Sequence, residues 1–286
     1  MDLCDINQIK ALLARHGFRF SKSMGQNFLI EEWVPYDIAD ASGAGAGCGV
    51  LEVGPGIGPL TSQLAKRADK VVSVELDKAL LPILSETMGE YDNFELVPGD
   101  ILKTNIPALV QEKFQGLTPL ACANLPYNIT SPAITALIEA NCFQAITVMI
   151  QREVAQRICA KPGSADYGAF SVYCQYHTDP ELLFEVPPTC FIPAPKVTSA
   201  VLHMVPKAKP ECVDDEVHFF KVVKASFAQR RKQLINGLLS TFGGKLSREQ
   251  LAQAIADCGL PADVRGERLG IEEFAALSKA IRAAGG

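Results

Sequence analysis

An apolar run over residues 119–123 ends in Asn124-Leu125-Pro126-Tyr127. These four residues combine a side-chain amide, a backbone carbonyl and an aromatic ring. Together they can hold an exocyclic amine while a group is transferred to its nitrogen. Pro126 has no N–H and keeps Leu125 out of helical geometry. The turn should therefore be stiff, with the Leu125 carbonyl open to a ligand. Tyr127 offers a flat face on which a base can stack. Taken alone, the tetrapeptide fits equally well an ordinary strand-to-turn exit with Tyr127 packed in the core. Other residues must decide between the two.

Three more segments carry ligand-type residues. Glu52-Val53-Gly54-Pro55-Gly56-Ile57-Gly58 follows a predicted strand and opens a helix, and its glycines let backbone pass close to a ligand. It is not the dinucleotide fingerprint G-x-G-x-x-G, because the sixth position counted from Gly54 is Pro59. Glu-x-Gly-x-Gly-x-Gly instead resembles the S-adenosylmethionine loop of Rossmann-like methyltransferases, a weak signal by itself. Glu75 lies 21 residues after Gly54, and an acid at a strand end there can accept from both hydroxyls of a ribose. A solvated strand-end glutamate is the plainer reading. Asp100, in Gly99-Asp100-Ile101, can accept from an adenine amino group while Ile101 packs on the ring, or it can merely cap a turn. Three such residues after three successive strands weigh more than any one of them.

The elements that must position these residues alternate. Strands are predicted at 50–53, 70–75, 94–97, 120–124 and 145–150. Helices are predicted from Gly58 to about 67, and at 78–88, 132–140 and 152–160. This spacing implies an α/β fold, a mostly parallel Rossmann-like sheet with helices on both faces. A short helix over 7–16 precedes it, and the glycines of 43–49 are too dense for regular structure. Late strands at 182–186 and 199–204, joined by a proline-rich loop, suit an antiparallel hairpin at the sheet edge. Residues 206–211 read as a linker. Beyond it the pattern is helical, at 214–230, 231–241, 247–258 and 271–282. Ser247 with Gln250 fits a capping box. The expected organisation is a Rossmann-like domain over 1–206, including an N-terminal segment, and a small all-helical domain over 207–286.

The 286 residues are 48% hydrophobic, enough for a sizeable core, and carry a net charge of −5. No apolar stretch approaches the roughly 18 residues of a membrane span, and the first residues lack a secretory pattern. The nine scattered cysteines form no Cys-x-x-Cys pair, so no metal site is suggested, and reduced thiols in a cytoplasmic protein are expected. The acidic balance argues weakly against nucleic acid, but averages hide local fields. Residues 218–232 hold Lys221, Lys224, Arg230, Arg231 and Lys232 without one acid. With Arg152, Arg157, Lys161 and Lys196 they can form a basic rim for RNA, or simply a solvated face.

Gly25-Gln-Asn-Phe-Leu29, Glu52-Val-Gly-Pro-Gly56, Asn124-Leu-Pro-Tyr-Asn-Ile129, Phe191-Ile-Pro-Ala-Pro-Lys-Val197 and Ser226-Phe-Ala-Gln-Arg-Arg-Lys232 occur in this order. Together they resemble the ribosomal RNA adenine dimethyltransferases, and the last one their small-subunit branch. The resemblance runs from about residue 22 to about residue 277. It implies S-adenosylmethionine as cofactor and dimethylation of N6 of two adjacent adenines near the 3′ end of small-subunit ribosomal RNA. It further implies a pre-assembled small subunit as partner, no membrane, and a monomer acting during ribosome biogenesis. By this resemblance Asn27 and Leu29 contact the cofactor, Gly54 underlies its methionine part, Glu75 holds the ribose, and Asp100 with Ile101 holds the adenine. Asn124 bridges cofactor and target, the Leu125 carbonyl accepts from the amine, and Tyr127 and Phe191 flank the flipped base. Alone, Phe191 would more often be a core residue. The glycine-rich 43–49 run and Met24 depart from a minimal family member.

The large-subunit dimethylases share the catalytic motifs, but the helical tail favours the small-subunit branch. A DNA adenine methyltransferase would need a target-recognition domain that is not recognisable here. A catalytically idle RNA-binding assembly factor fits poorly with intact Glu75, Asp100, Asn124 and Tyr127. His16, His177, His203 and His218 follow no motif and read as structural or surface residues.

Overall fold

A computed structural model of the chain describes residues 1–20, 25–229 and 232–286. Met24, Arg230 and Arg231, singled out above, lie outside the described residues. The elements in chain order are α1 (Ile6–Arg15), β1 (Phe28–Leu29), α2 (Trp33–Ala41), β2 (Cys48–Val53), α3 (Pro59–Ala65), β3 (Lys70–Glu75), α4 (Leu81–Thr87) and β4 (Phe94–Pro98). Next come α5 (Ile106–Lys113), β5 (Thr118–Asn124), α6 (Thr130–Glu139), β6 (Ala145–Gln151), α7 (Arg152–Ile158), α8 (Ala169–His177), β7 (Thr178–Val186), β8 (Phe191–Ile192) and β9 (Ser199–Pro206). Four helices follow: α9 (Glu216–Phe227), α10 (Leu234–Phe242), α11 (Arg248–Asp257) and α12 (Ile271–Ala283).

Two compact units emerge, one of Met1–Ala155 with Pro180–Pro206 and one of Gln156–Asp179 with Lys207–Gly286. The expected division at 206/207 differs from this by the segment Gln156–Asp179. The reason lies in α8, whose Val172 and Tyr176 are buried in the same apolar cluster as Phe219 of α9 and Phe274 of α12.

In the first unit the strands order as β4-β3-β2-β5-β6-β9-β7. The five from β4 to β6 run parallel, and β9 joins β6 antiparallel. The central strands are covered on both faces, so Val50, Leu51, Val71, Val72, Ala121, Cys122, Ile146 and Val148 are all buried. That is why these strands read as mostly apolar runs and not as alternating ones. The chain winds outward from β2 through β3 to β4, then returns to place β5 on the other side of β2. This reversal opens a crevice beyond the carboxyl ends of the strands. The late strands are present at the edge of the sheet, with β7 beyond β9. The short β1 and β8 form a separate antiparallel pair, Phe28↔Ile192 and Leu29↔Phe191.

Local chemistry sets the element ends. Gly58 is left-handed and Pro59 opens α3, where its missing N–H costs nothing. Asn105 caps α5 by accepting from the Ala108 N–H at 3.2 Å. The Ser247–Gln250 capping box forms reciprocally, at 3.2 and 2.8 Å. In the second unit α10 lies so close to α9 that a Cβ on Gly237 would fall 2.2 Å from the Ala225 carbonyl. Glycine is required there for the two helices to pack. No helix among the described residues is long and apolar enough to cross a membrane.

Candidate active site

The crevice beyond β2, β3, β4 and β5 is a cleft lined by Asn27, Leu29, Gly54, Glu75, Asp100, Ile101, Asn124, Leu125 and Tyr127. Seven of these come from strand ends or the turns after them, which is why residues as distant in sequence as Gly54 and Tyr127 meet. Asn27 and Leu29 come from the N-terminal segment, tied down by the β1–β8 pair. Phe191 is not brought to the cleft. It is 3% exposed and packs in the core. The cause is the alternation of a two-residue strand: side chains at Phe191 and Ile192 point to opposite faces, and Phe191 takes the inner one.

The glycine loop brings backbone to the cleft floor. Gly54 donates to the Val74 carbonyl at 3.0 Å, locking the loop to β3. Gly56 has φ +63° and an added Cβ there would touch the Phe28 ring at 3.4 Å. A side chain at this position would be strained and would press on the wall of the site.

Two carboxylates dominate the electrostatics. Glu52 is 1% exposed and accepts from Thr61 Oγ1 at 2.8 Å and from Ser73 Oγ at 2.6 Å. Burial pushes its pKa up to about 7; the two hydroxyls oppose that shift and the nearby Glu75 charge adds to it. Glu75 accepts from the Asp77 N–H at 2.7 Å. Burial raises it to about 7 as well, against the backbone N–H groups of Asp77, Gly56 and Leu76, while the Asp77 charge adds to the rise. Two desolvated carboxylates in one cleft, with no cation among the described residues that shift them, form a site for a positively charged ligand. The donor set therefore fits S-adenosylmethionine, which carries a sulfonium, an ammonium and a ribose diol. Asp100 is partly committed to its own turn, accepting from the Leu102 N–H at 3.0 Å.

The turn after β5 is tied to β6 through its backbone. The Leu125 N–H donates to the Met149 carbonyl at 3.1 Å. Among the described residues none donates to the Leu125 carbonyl, and none pairs with the Asn124 side chain. Two acceptors therefore stand unengaged on the cleft wall. The Tyr127 phenol meets Ser199 Oγ at 2.6 Å, and burial raises its pKa.

Several cleft residues had no role assigned from the sequence, although Gln26 and Phe28 lie in the Gly25–Leu29 motif. Gln26 donates to Asp77 Oδ2 at 2.7 Å, tying the N-terminal segment to the turn after β3. Leu76 and Leu102 line the cleft yet are 52% and 42% exposed. Phe28 forms the wall beside Gly56 and packs against Phe18 and Phe20. An exposed leucine directly after a candidate ribose acid was a further hint. None of the four histidines lines the cleft. His16 pairs with Glu86, His203 with Thr147 and His218 with Ser278.

Lys221, Lys224 and Lys232 are exposed on the second unit, with the Lys221 ammonium 4.6 Å from the centre of the Phe242 ring. Arg157 and Lys161 belong to that unit too, whereas Arg152 and Lys196 belong to the first. Arg152 is paired with Glu185 at 3.2 Å.

Strand order, glycine loop, the acid after β3 and the amide turn after β5 define a Rossmann-like methyltransferase. S-adenosylmethionine is its cofactor. Residues 17–281 match the family model for ribosomal RNA adenine dimethylase. The chain is 45% identical over 284 residues to "Ribosomal RNA small subunit methyltransferase A" of Geobacillus thermodenitrificans, covering 98% of this chain and 97% of that protein. Its counterpart of the same name from Bacillus licheniformis is 44% identical over 285 residues, covering 98% of each. The chain belongs to the ribosomal RNA adenine dimethylase family. Among solved structures, a dimethyladenosine transferase from Plasmodium falciparum shares the fold, with TM-score 0.74 and 22% identity over 90% of this chain and 98% of that one. The 23S rRNA methyltransferase ErmE superposes with TM-score 0.66 and 26% identity, covering 89% and 99%.

Proposed function

We propose that this chain dimethylates N6 of two adjacent adenines near the 3′ end of small-subunit ribosomal RNA. Its partner in this reading is a pre-assembled small subunit, and it acts as a cytoplasmic monomer during ribosome biogenesis. The observation that carries the chemistry is the pair of unengaged acceptors, Asn124 Oδ1 and the Leu125 carbonyl, on the wall of a cleft that suits the donor. The higher identity to small-subunit enzymes than to ErmE supports the choice of subunit.

The N6 lone pair of adenine is delocalised into its ring, which makes it a poor nucleophile. Asn124 Oδ1 and the Leu125 carbonyl accept from the two N6 hydrogens and favour a tetrahedral nitrogen with its lone pair free. Bound S-adenosylmethionine would supply a methyl group on a cationic sulfur, with neutral S-adenosylhomocysteine as the leaving group. The alkylated nitrogen is acidic and loses a proton to water, so the chain needs no strong base, in keeping with the absence of a histidine from the cleft lining. Asn27 and Leu29 contact the cofactor from the N-terminal segment, Gly54 underlies its methionine part, Glu75 holds the ribose, and Asp100 with Ile101 the adenine. The contribution of these residues is proximity and preorganised electrostatics. The target base must leave its stack, and Tyr127 offsets part of that cost at about 1–3 kcal/mol. Lys221, Lys224, Arg230, Arg231 and Lys232 supply phosphate contacts.

Incubation with labelled S-adenosylmethionine and either immature small subunits or large-subunit RNA, followed by nucleoside identification, tests the reading. N6,N6-dimethyladenosine in the small subunit is expected. Label confined to large-subunit RNA, or none at all, overturns it.

A further inference from the structure

Tyr127 is held at its tip as well as at its backbone. It opens a single helical turn, Tyr127–Ile129, directly after Pro126. Its phenol oxygen lies 2.6 Å from Ser199 Oγ. Ser199 is 0% exposed and begins β9. The antiparallel ladder from Ile146↔Met204 to Gln151↔Ser199 fixes β9 to β6, and β6 is fixed to β5 by the register that ends at Asn124↔Met149. One rigid sheet thus carries both the amine acceptor Asn124 and the hydroxyl that anchors the ring. A Ser199 hydroxyl buried this deeply has no water to replace Tyr127, so breaking the bond leaves a dry, unpaired group.

We propose that Ser199 is a positioning residue that keeps the Tyr127 ring in register with Asn124 and Leu125, and that the second methyl transfer depends on it most. The inference rests on the function proposed above. In the first transfer two N6 hydrogens meet two acceptors, and these bonds alone orient the amine. After it one hydrogen remains, so one acceptor loses its partner and the nitrogen is bulkier. The base must then be held more by its stacking face than by its hydrogen bonds. A ring free to swing costs little in the first step and much in the second, because misplacement on the scale of 1 Å can cost about 10²-fold.

The test compares Ser199→Ala, Ser199→Thr, Tyr127→Phe and the Ser199→Ala/Tyr127→Phe double variant on immature small subunits. The products are separated into N6-monomethyl and N6,N6-dimethyl adenosine. Ser199→Ala is expected to lower kcat of the second step by about tenfold or more, to change the first step by less than about threefold, and to leave KM for the subunit within about twofold. Monomethyl product accumulates. Ser199→Thr retains the hydroxyl and restores dimethylation. Tyr127→Phe keeps the ring and removes the same hydrogen bond, so it and the double variant should show the same fall in the dimethyl-to-monomethyl ratio as Ser199→Ala. With 2-aminopurine at the target position and no cofactor, Ser199→Ala should quench fluorescence less than wild type on binding. Melting temperature monitors folding in every variant. Unchanged product partition in a folded Ser199→Ala protein, or losses that multiply in the double variant, overturns the inference. Failure of wild type to methylate the small subunit overturns the proposed function instead.

Discussion

The two halves of the cleft are built on opposite plans. On the donor side, beyond β2 and β3, every prominent polar group is already bonded within the chain: Glu52 to Thr61 and Ser73, Glu75 to the Asp77 N–H, Gln26 to Asp77. What that side lacks is charge balance. On the acceptor side, beyond β5, the described lining residues 124–129 carry no charge and what is lacking is a donor, since Asn124 Oδ1 and the Leu125 carbonyl stand unengaged. One half is prepared for a cation and the other for an amine. Methyl transfer joins those two ligands.

Damage to the acceptor half should have the largest effect. Asn124→Ala removes an acceptor used in the transition state and should lower transfer by about 10²-fold or more, the scale seen for deletion of a preorganised polar group. RNA affinity, measured by filter binding, should stay within a few-fold. A wild-type rate would remove the clamp from the mechanism. On the donor half, Glu75→Gln should weaken S-adenosylmethionine binding by about 10–100-fold, in line with loss of charge-assisted hydrogen bonds. Calorimetry checks this, and unchanged affinity would detach Glu75 from the ribose.

The carboxylates also set a pH dependence that the acceptor half lacks. Glu52 and Glu75 both rise from 4.5 to about 7 on folding, so the folded state holds their protons more tightly than the unfolded chain. The stability tied to those protons is complete below pH 4.5 and is lost as pH rises through about 7. Without ligand, the protein should melt at lower temperature at pH 8 than at pH 6. Affinity for the cationic donor should run the other way, rising over the same window as the carboxylates ionise, with a weaker rise for S-adenosylhomocysteine. Glu75→Gln should flatten both trends. Identical profiles for the variant and wild type would mean that the charge imbalance lies elsewhere.

The smallest effect is expected from the second unit. Lys221→Ala and Lys224→Ala should each weaken RNA binding modestly and lower the salt slope of log K by about one. No change in slope would assign those lysines to solvent.

The donor half was nearly complete in the sequence because its residues sit directly after strands that announce themselves. Lys70–Glu75 is an apolar run bounded by charge, and the expected strand and the observed β3 coincide. Asn124 was placed for the same reason. Contacts made by chain return were not legible: Gln26 reaches Asp77 across 51 positions, and nothing local to either marks the other. Phe191 lies in the core and not on the cleft lining, and a proline-rich loop says nothing about which face of a two-residue strand turns inward. Short helices were missed where local signals are thin, as in α2, α5 and α8. Of these α8 mattered most, since its aromatic face carries Gln156–Asp179 into the helical unit. The 43–49 segment was expected to be irregular, and β2 begins within it at Cys48.

The contrast between the halves is tested most directly by a structure of the chain bound to its RNA target and S-adenosylhomocysteine. The target N6 should lie at hydrogen-bond distance, about 2.7–3.2 Å, from both Asn124 Oδ1 and the Leu125 carbonyl, with the base against Tyr127. A target N6 that engages neither acceptor would contradict the account.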